Sequence, residues 1–322
     1  MSGENYTVKQ LQERLTSLGI QYTSRCRKND LRKLLEAELP TFNKIGIHVF
    51  KNGNMEDSIT NTRNELNINS VQIFTHGPRS FNKSNMCYTD IVKACDGINV
   101  YVHSAYPTNP WKGDAESMDM TIEQFVSSHL INSKGVVLHI PKLNPDDVVK
   151  PIPELVVKLK KAKIMEGQKV ILEMKAVKTH PTMSYETPEK INRLVRKLES
   201  VGLKHTEVGI CIDTAHIYAG KAQITTYQEA ENYCNLIEKP EWICLLHLNG
   251  NEYDAKKRAG DKHAIPLNNY DMIWKSLSYK ESGCKAFIQY AHKLNIDIIL
   301  EVKDHHTSNQ INSFLNSAKI DL

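Results

Sequence analysis

The sequence predicts an α/β fold, a (β/α)8 barrel preceded by a small N-terminal helical hairpin, and three observations carry that prediction. From Lys44 onward one unit repeats: a short β-branched apolar run, a loop, then a helical pattern. The apolar runs are continuous and alternate with helices, as strands do in a parallel sheet covered by helices. Eight such runs fall within roughly 275 residues, the size and strand count of a TIM barrel. The main rival is a doubly wound open sheet, which usually carries a Gly-rich phosphate loop after its first strand. Here that position reads HVFKNGN, with no GxGxxG.

Taken in order, the chain opens with a different pattern. Thr7 is placed to cap a helix whose Leu11, Leu15 and Leu18 share one face at spacings of four and three. Gly19 stops it, a polar turn from Tyr22 to Cys26 follows, and a second helix carries Leu31, Leu34 and Leu35 up to Pro40. Residues 1–40 therefore read as a helical module and residues 41–322 as the barrel domain. The expected strands are Ile45–Phe50, Val71–Phe74, Ile98–His103, Val136–Ile140, Val170–Met174, Val208–Asp213, Trp242–Leu248 and Ile296–Val302. Expected helices between them include Thr121–Asn132, Glu154–Met165, Pro188–Ser200, Tyr227–Glu238 and Glu281–Leu294.

Composition narrows the class. At 322 residues and 40% hydrophobic content, the chain can offset its ordering entropy with a large core, which excludes a disordered protein. No apolar run reaches the roughly 18 residues of a membrane span. MSGENYTVKQ lacks the basic-then-apolar layout of a signal peptide, so an unexported, intracellular protein without a membrane partner is expected. A net charge of +4 permits a nucleic-acid partner without arguing for one. The 7 cysteines include no CxxC pair, and Cys211 and Cys244, inside apolar runs, read as buried core.

The 13 histidines say more, through where they fall. In a (β/α)8 barrel, chemistry sits at the C-terminal ends of the strands. Those ends carry His103 (NVYVHSAY), His139 (GVVLHIP), Glu173 (KVILEMK), Asp213 (GICIDTAH), His247 (CLLHLNGN) and Glu301 (DIILEVK). His216 follows Asp213 by three residues, and Asp261 and His263 form a D-x-H in the loop after the seventh strand. His129, His205 and His292 fall on or beside helices and read as surface or packing residues.

Singly, each strand-end residue reads as a satisfied polar group or a helix cap. Jointly that reading fails, because several carboxylates buried in one pocket are costly unless cations neutralise them. Five imidazoles and four carboxylates without a thiolate suit zinc, with manganese or iron as lesser candidates, and argue against all-oxygen magnesium or calcium sites. Nine side chains exceed the needs of one ion and fit two or three. Three divalent cations would outweigh the four carboxylates, so the site attracts an anion. Clustered ions suit in-line displacement at phosphorus, and the chemistry alone reads as a multi-metal phosphoesterase.

The run CIDTAH, the HLN after strand seven, the D-x-H loop, His103, His139 and the LE of strands five and eight resemble the endonuclease IV family of apurinic/apyrimidinic (AP) endonucleases. The resemblance runs in order from about Lys44 to Glu301, and the joint match is specific although each motif alone is weak. It implies a TIM barrel with three Zn2+ ions that cuts double-stranded DNA on the 5′ side of an abasic site in base excision repair. The products would be a 3′-hydroxyl and a 5′-deoxyribose phosphate, and 3′-phosphodiesterase activity is a further expectation. By motif, His103, His139 and Glu173 match ligands of a first zinc. Glu173, Asp213, His247 and Glu301 match those of a second, and His216, Asp261 and His263 those of a third. Glu301 or Glu173 would assist as general base; the motifs do not choose. Arg79 (THGPRSF) and Tyr106 (HSAYPTNPW) match DNA-contacting positions.

The chain also departs from the family pattern. EMKAVKT stands for ENTAGQG, DKHAIPL lacks the customary IG, and Pro107 stands where an intercalating leucine is usual. These changes spare the ligands and fall on DNA-facing loops. The N-terminal hairpin resembles a SAP-type DNA-binding module, with a basic group at Arg25, Arg27, Lys28, Arg32 and Lys33; a packing extension is its plain alternative. Two other readings of the whole remain: a xylose-isomerase-like sugar isomerase or epimerase on the same barrel, and a DNA-binding accessory protein without activity. The compartment would follow the DNA served: nucleus or cytoplasm, or virion or host cytoplasm for a viral chain.

Overall fold

The computed structural model describes residues 7–17, 21–23, 26–31, 34, 44–175, 185–253, 262–302 and 308–319. Eight parallel strands close on themselves: β1 (Ile45–Val49), β2 (Ser70–Phe74), β3 (Asn99–His103), β4 (Gly135–Ile140), β5 (Lys169–Met174), β6 (Val208–Asp213), β7 (Ile243–His247) and β10 (Asp297–Leu300). The closing seam joins β1 to β10, and each remaining neighbour follows in chain order. The barrel is therefore the one expected, with every expected strand within two residues of its observed ends. Between β7 and β10 a short antiparallel pair, β8 (Gly250–Asn251) and β9 (His263–Ala264), stands outside the barrel.

Strand periodicity explains how the site is made. Tyr101, Val137, Ile171, Cys211, Leu245 and Ile299 pack together as one apolar cluster. Side chains two apart on a strand point the same way. Stepping two residues toward the C-terminal end from each of those six gives His103, His139, Glu173, Asp213, His247 and Glu301. Six apolar residues thus form a floor, and the polar residues stand on it as a layer. Register completes the arrangement, setting His139 opposite Glu173 and Asp213 opposite His247.

The outer faces of the strands pack against helices in a second, larger core. These are α2 (Met55–Leu66), α3 (Tyr88–Ala94), α4 (Ala115–Leu130), α5 (Pro145–Val149), α6 (Ile152–Lys161), α7 (Pro188–Ser200), α8 (Thr214–Ala219), α9 (Tyr227–Asn235), α10 (Gly283–Leu294) and α11 (Ser308–Lys319), after an N-terminal α1 (Val8–Ser17). Helix α7 matches its expectation at both ends. Helix α4 starts six residues earlier than expected, because the Asp114 side chain accepts the Ser117 N–H and caps it there. Helix α9 opens on a full capping box between Thr226 and Glu229. Of the two cysteines expected in the core, Cys211 is fully buried and Cys244 only partly.

Near the N-terminus Thr7 caps α1 as expected, through reciprocal bonds with Gln10. Leu11, Leu15 and Leu31 are fully buried in a small core of their own, flanked by Tyr22, Cys26 and Leu34. Leu18, Gly19, Arg25, Arg32, Lys33, Leu35 and Pro40 lie outside the described residues. No helix among the described residues is long and apolar enough to cross a membrane.

Candidate metal centre

Glu173 is the middle of the layer. Its side chain is fully buried, with Oε2 at 2.9 Å from His139 Nε2 and 3.4 Å from His103 Nε2. Oε1 lies 3.0 Å from His247 Nδ1 and 3.4 Å from His216 Nδ1. Burial pushes the Glu173 carboxyl upward, but the imidazoles of His139, His247 and His103 overcome it and hold the group well below the usual carboxylate range. Glu301 behaves alike: burial raises it, while His247 and His48 bring it well below its ordinary value. The reciprocal effect falls unevenly on the histidines. His247 is raised well above its ordinary value despite burial, by Cys211, Glu301 and Glu173, and His103 is also raised. For His139 burial wins and its pKa drops, since one carboxylate cannot keep every surrounding ring charged.

The potential ligand atoms gather in three groups: His103, His139 and Glu173; Glu173, Asp213, His247 and Glu301; and Asp213, His216 and His263. Within each, the donor atoms lie within 4.8 Å of one another. Glu173 belongs to the first two groups and Asp213 to the last two. Eight of the nine sequence-expected ligands therefore converge; Asp261 lies outside the described residues. His216 reaches Asp213 through a helix cap, because the Asp213 side chain accepts the His216 N–H at 2.8 Å and the first turn of α8 folds the ring back.

Hydrogen bonding fits these groups to cations. His103 Nδ1 faces the Ser104 carbonyl at 2.8 Å, and His216 Nδ1 faces the Met174 carbonyl at 2.7 Å. A carbonyl only accepts, so each Nδ1 carries the proton and each Nε2 keeps its lone pair for the site. His103 Nε2 and His139 Nε2 stand 3.3 Å apart, with the buried Glu173 Oε2 within 3.4 Å of both. Potential ligand atoms crowded on one point in this way are what a cation needs.

Three participants escape a reading of strand ends alone. Gln72, buried on β2, accepts from His247 Nε2 at 2.9 Å and donates to Glu301 Oε1 at 2.7 Å and to His48 Nδ1 at 2.9 Å. His48, on β1, lies 3.7 Å from Glu301, and burial lowers its pKa. Asn249 donates to Asp213 Oδ2 at 2.7 Å and Glu301 Oε2 at 3.2 Å, while its Oδ1 accepts the Glu301 N–H at 2.8 Å. The one sequence feature that marks His48 and Gln72 is a polar residue set inside a largely apolar strand. Asn249 stands out in the sequence only as part of HLN.

The β8–β9 pair delivers His263, with Asn251 opposite it. Asp271 organises this hairpin by accepting the N–H groups of Leu267, Ile273 and Asn251 at 2.8, 2.9 and 3.3 Å. Burial pushes Asp271 up to about 6 against those donors. The packing leaves no room for a side chain at position 250, where a Cβ would lie 2.6 Å from Asp271 Cγ.

No family model matches the sequence. An African swine fever virus protein named "Probable AP endonuclease" is 32% identical over 247 residues, covering 72% of this chain and 78% of its own length. The chain belongs to the endonuclease IV family of AP endonucleases. A Mycoplasmopsis synoviae protein named "Probable endonuclease 4" is 24% identical over 279 residues, covering 80% of this chain and 91% of its own. The crystal structure described as AsfvAP:AG superposes at a TM-score of 0.69 with 28% identity, over 86% of this chain and 96% of that one. Endonuclease IV from Thermus thermophilus, at 17% identity and a TM-score of 0.65 over 86% and 97%, shares the fold.

Of the residues expected to face DNA, Arg79 and Tyr106 stand on loops that follow β2 and β3, at the end of the barrel that carries the ligand groups. Tyr106 is 54% exposed, with its ring 5.9 Å from that of His103 and 6.0 Å from that of His139. Its N–H donates to the Pro78 carbonyl at 2.8 Å, which joins its loop to the one bearing the exposed Arg79. Arg27 and Lys28, near the N-terminus, are exposed.

Proposed function

We propose that this endonuclease IV relative binds three zinc ions and hydrolyses the phosphodiester bond 5′ to an abasic site in double-stranded DNA, with 3′-phosphodiesterase activity at the same centre. The observation that carries this reading is the third ligand group, Asp213, His216 and His263, standing beside the other two. An aldose–ketose isomerase needs no second histidine cluster, whereas a phosphodiester brings entering and leaving oxygens on opposite sides of phosphorus.

His103, His139 and Glu173 would hold one ion, Glu173, Asp213, His247 and Glu301 a second, and His216 and His263 a third with Asp213 and Asp261. Ions so held supply an oxygen nucleophile near neutral pH and draw charge off the phosphate. The protein's own share is orientation and proton handling. Gln72 and the backbone carbonyls of Ser104 and Met174 hold the outer nitrogens of His247, His103 and His216, so the inner nitrogens face the centre. Glu301 is the proton carrier of the two candidate carboxylates, because its side chain is 12% exposed while Glu173 is sealed. Arg79 and Tyr106 would hold the distorted strand, an abasic nucleotide being the easiest to flip since no pair is broken.

Residues 1–40 are a SAP-like module whose Arg25, Arg27, Lys28, Arg32 and Lys33 would add phosphate contacts without reading bases. The protein is proposed to work inside the cell, wherever its DNA is kept.

The test is elemental analysis of the purified protein together with incubation on a duplex carrying one abasic site. Incision by wild type, lost in Glu301→Gln and His216→Ala, supports the reading. Three zinc ions with no incision would favour an inactive DNA-binding protein, and turnover of ketoses an isomerase.

A further inference from the structure

Among the described residues, the large exposed hydrophobic side chains divide by chemistry. Val8, Leu130, Val157, Val201 and Leu236, all aliphatic, lie on helices or at their caps. Phe50, Tyr106, Tyr253 and Tyr270, the aromatic ones, all lie on loops at the end of the barrel that carries the ligand groups, with exposures of 40%, 54%, 38% and 58%. Three of them flank different parts of the centre. Phe50 stacks on His48 at 4.7 Å, and His48 adjoins Glu301. Tyr106 stands against His103 and His139. Tyr253 donates its N–H to Asn251, the residue paired with His263, and Lys262 Nζ lies 5.9 Å from its ring centre. Tyr270 follows on the same connection, beside Asp271. The exposed cations Lys51 and Arg79 stand on loops of this face, and Lys112 ends a 3-10 turn in the connection that follows β3.

Rings interleaved with cations suit a strand whose bases are unpaired: cations track the backbone, and each ring offers a face to a base. Within an intact duplex both faces of every base are already stacked, so rings at the rim find partners only where bases have come free. One abasic gap frees few faces, and four rings distributed around the mouth exceed that need.

We propose that Phe50, Tyr253 and Tyr270, together with Tyr106, form a stacking rim for unpaired bases, and that abasic sites in single-stranded DNA are bound and cut as well as those in duplexes. This rests on the nuclease reading above and extends its substrate class. The experiment measures fluorescence anisotropy of the full-length, metal-loaded protein with two labelled single strands, an oligothymidylate and one bearing an abasic site. Phe50→Ala and Tyr253→Ala should each weaken binding of both strands roughly tenfold, while Phe50→Trp and Tyr253→Phe keep wild-type affinity and all variants keep their metal content. Tyr270→Ser, the change farthest from the ligands, keeps the test valid should the other two fail to fold. Alanine and serine variants that all bind within about twofold of wild type overturn the rim. Incision of an abasic duplex is scored in parallel. Its absence overturns the nuclease reading, whereas duplex incision without cutting of the single strand overturns only the present inference.

Discussion

Asn249 offers a direct probe of how the centre is held, because its one side chain ties two ligand carboxylates from different strands. In Asn249→Ala the amide donors to Asp213 Oδ2 and Glu301 Oε2 disappear, and so does the acceptor for the part-buried Glu301 N–H. The two effects separate. Losing the acceptor leaves a part-buried N–H without its partner, which costs about 1 kcal/mol of folding stability whether or not metal is present. Losing the donors frees two carboxylates to rotate, and removing partners of this kind typically lowers metal affinity about 10–100-fold. That corresponds to about 1.4–2.7 kcal/mol. The assay is competition: wild type and variant are dialysed against a graded chelator series, and retained metal is counted at each step. The variant should lose metal at a chelator concentration one to two decades lower. Asn249→Asp, which keeps the acceptor but sets a third carboxylate against Asp213 and Glu301, should be less stable than wild type when chelated. Superimposable chelation curves for wild type and Asn249→Ala would refute the reasoning, because the carboxylates would then be held by something else.

Other expectations follow from the same geometry. Deleting residues 1–40 should weaken DNA binding and flatten its salt dependence while leaving metal content intact; equal affinity at several salt concentrations would remove the module from the interface. Activity should fall in acid, since metal loading requires neutral imidazoles and His247 and His103 hold protons more tightly than ordinary histidines. Full activity of the metal-loaded enzyme at about pH 4.5 would contradict the histidine assignment. At the opposite mouth of the barrel, Asp297 accepts from Asn99 and Tyr101 at 2.8 and 2.7 Å, and burial lifts its carboxyl above the ordinary value of 3.8 against those donors. A raised folded-state pKa makes the neutral acid favour the fold, fully below about pH 4 and progressively less as pH rises through the elevated value. Urea midpoints of wild type, referenced to Asp297→Asn, should therefore decline from about pH 4 toward neutrality; parallel curves would count against it. Gly250→Ala should loosen the β8–β9 hairpin through the clash with Asp271, detectable as reduced metal retention with little change in far-ultraviolet circular dichroism.

The barrel is legible in the sequence because its strands are buried on both faces and so read as unbroken apolar runs, as IGIHV and GICID do. What those runs conceal is which residues point inward. That is why His48 and Gln72, each inside a strand rather than at its end, do not declare themselves while the strand-ending His103, Asp213 and His247 do. Helix α2 is hidden for a different reason. MEDSITNTRNEL buries only Met55, Ser58, Ile59 and Leu66, too thin a stripe to stand out from a polar segment, and its start depends on the Asn54 side chain accepting the Asp57 N–H. Hairpin β8–β9 is illegible because two-residue strands carry no periodicity, and it is held by Asp271 from seven residues downstream of Ala264.

The convergence of ligands follows from cost, and the geometry makes that cost concrete. Glu173 and Asp213 are fully buried, Glu301 nearly so, and all three share one mouth of the barrel. Without cations, the neutralising charge must come from the imidazoles, and the opposite shifts of His247 and His139 mark where protons can and cannot be accommodated. A proton placed on His247 Nδ1 sits among Glu173 Oε1, Glu301 Oε2 and Asp213 Oδ2 at 3.0, 3.2 and 3.8 Å, the position a ligand-bound cation would claim. Protons and metal ions therefore compete for the same point in space. The tautomers bear on this too: the Nδ1 atoms of His103 and His216 face backbone carbonyls, which only accept, so in the neutral rings the Nε2 lone pairs stay available to the site. Convergence of the ligand atoms, with these tautomers beside it, argues that the layer is built to hold ions.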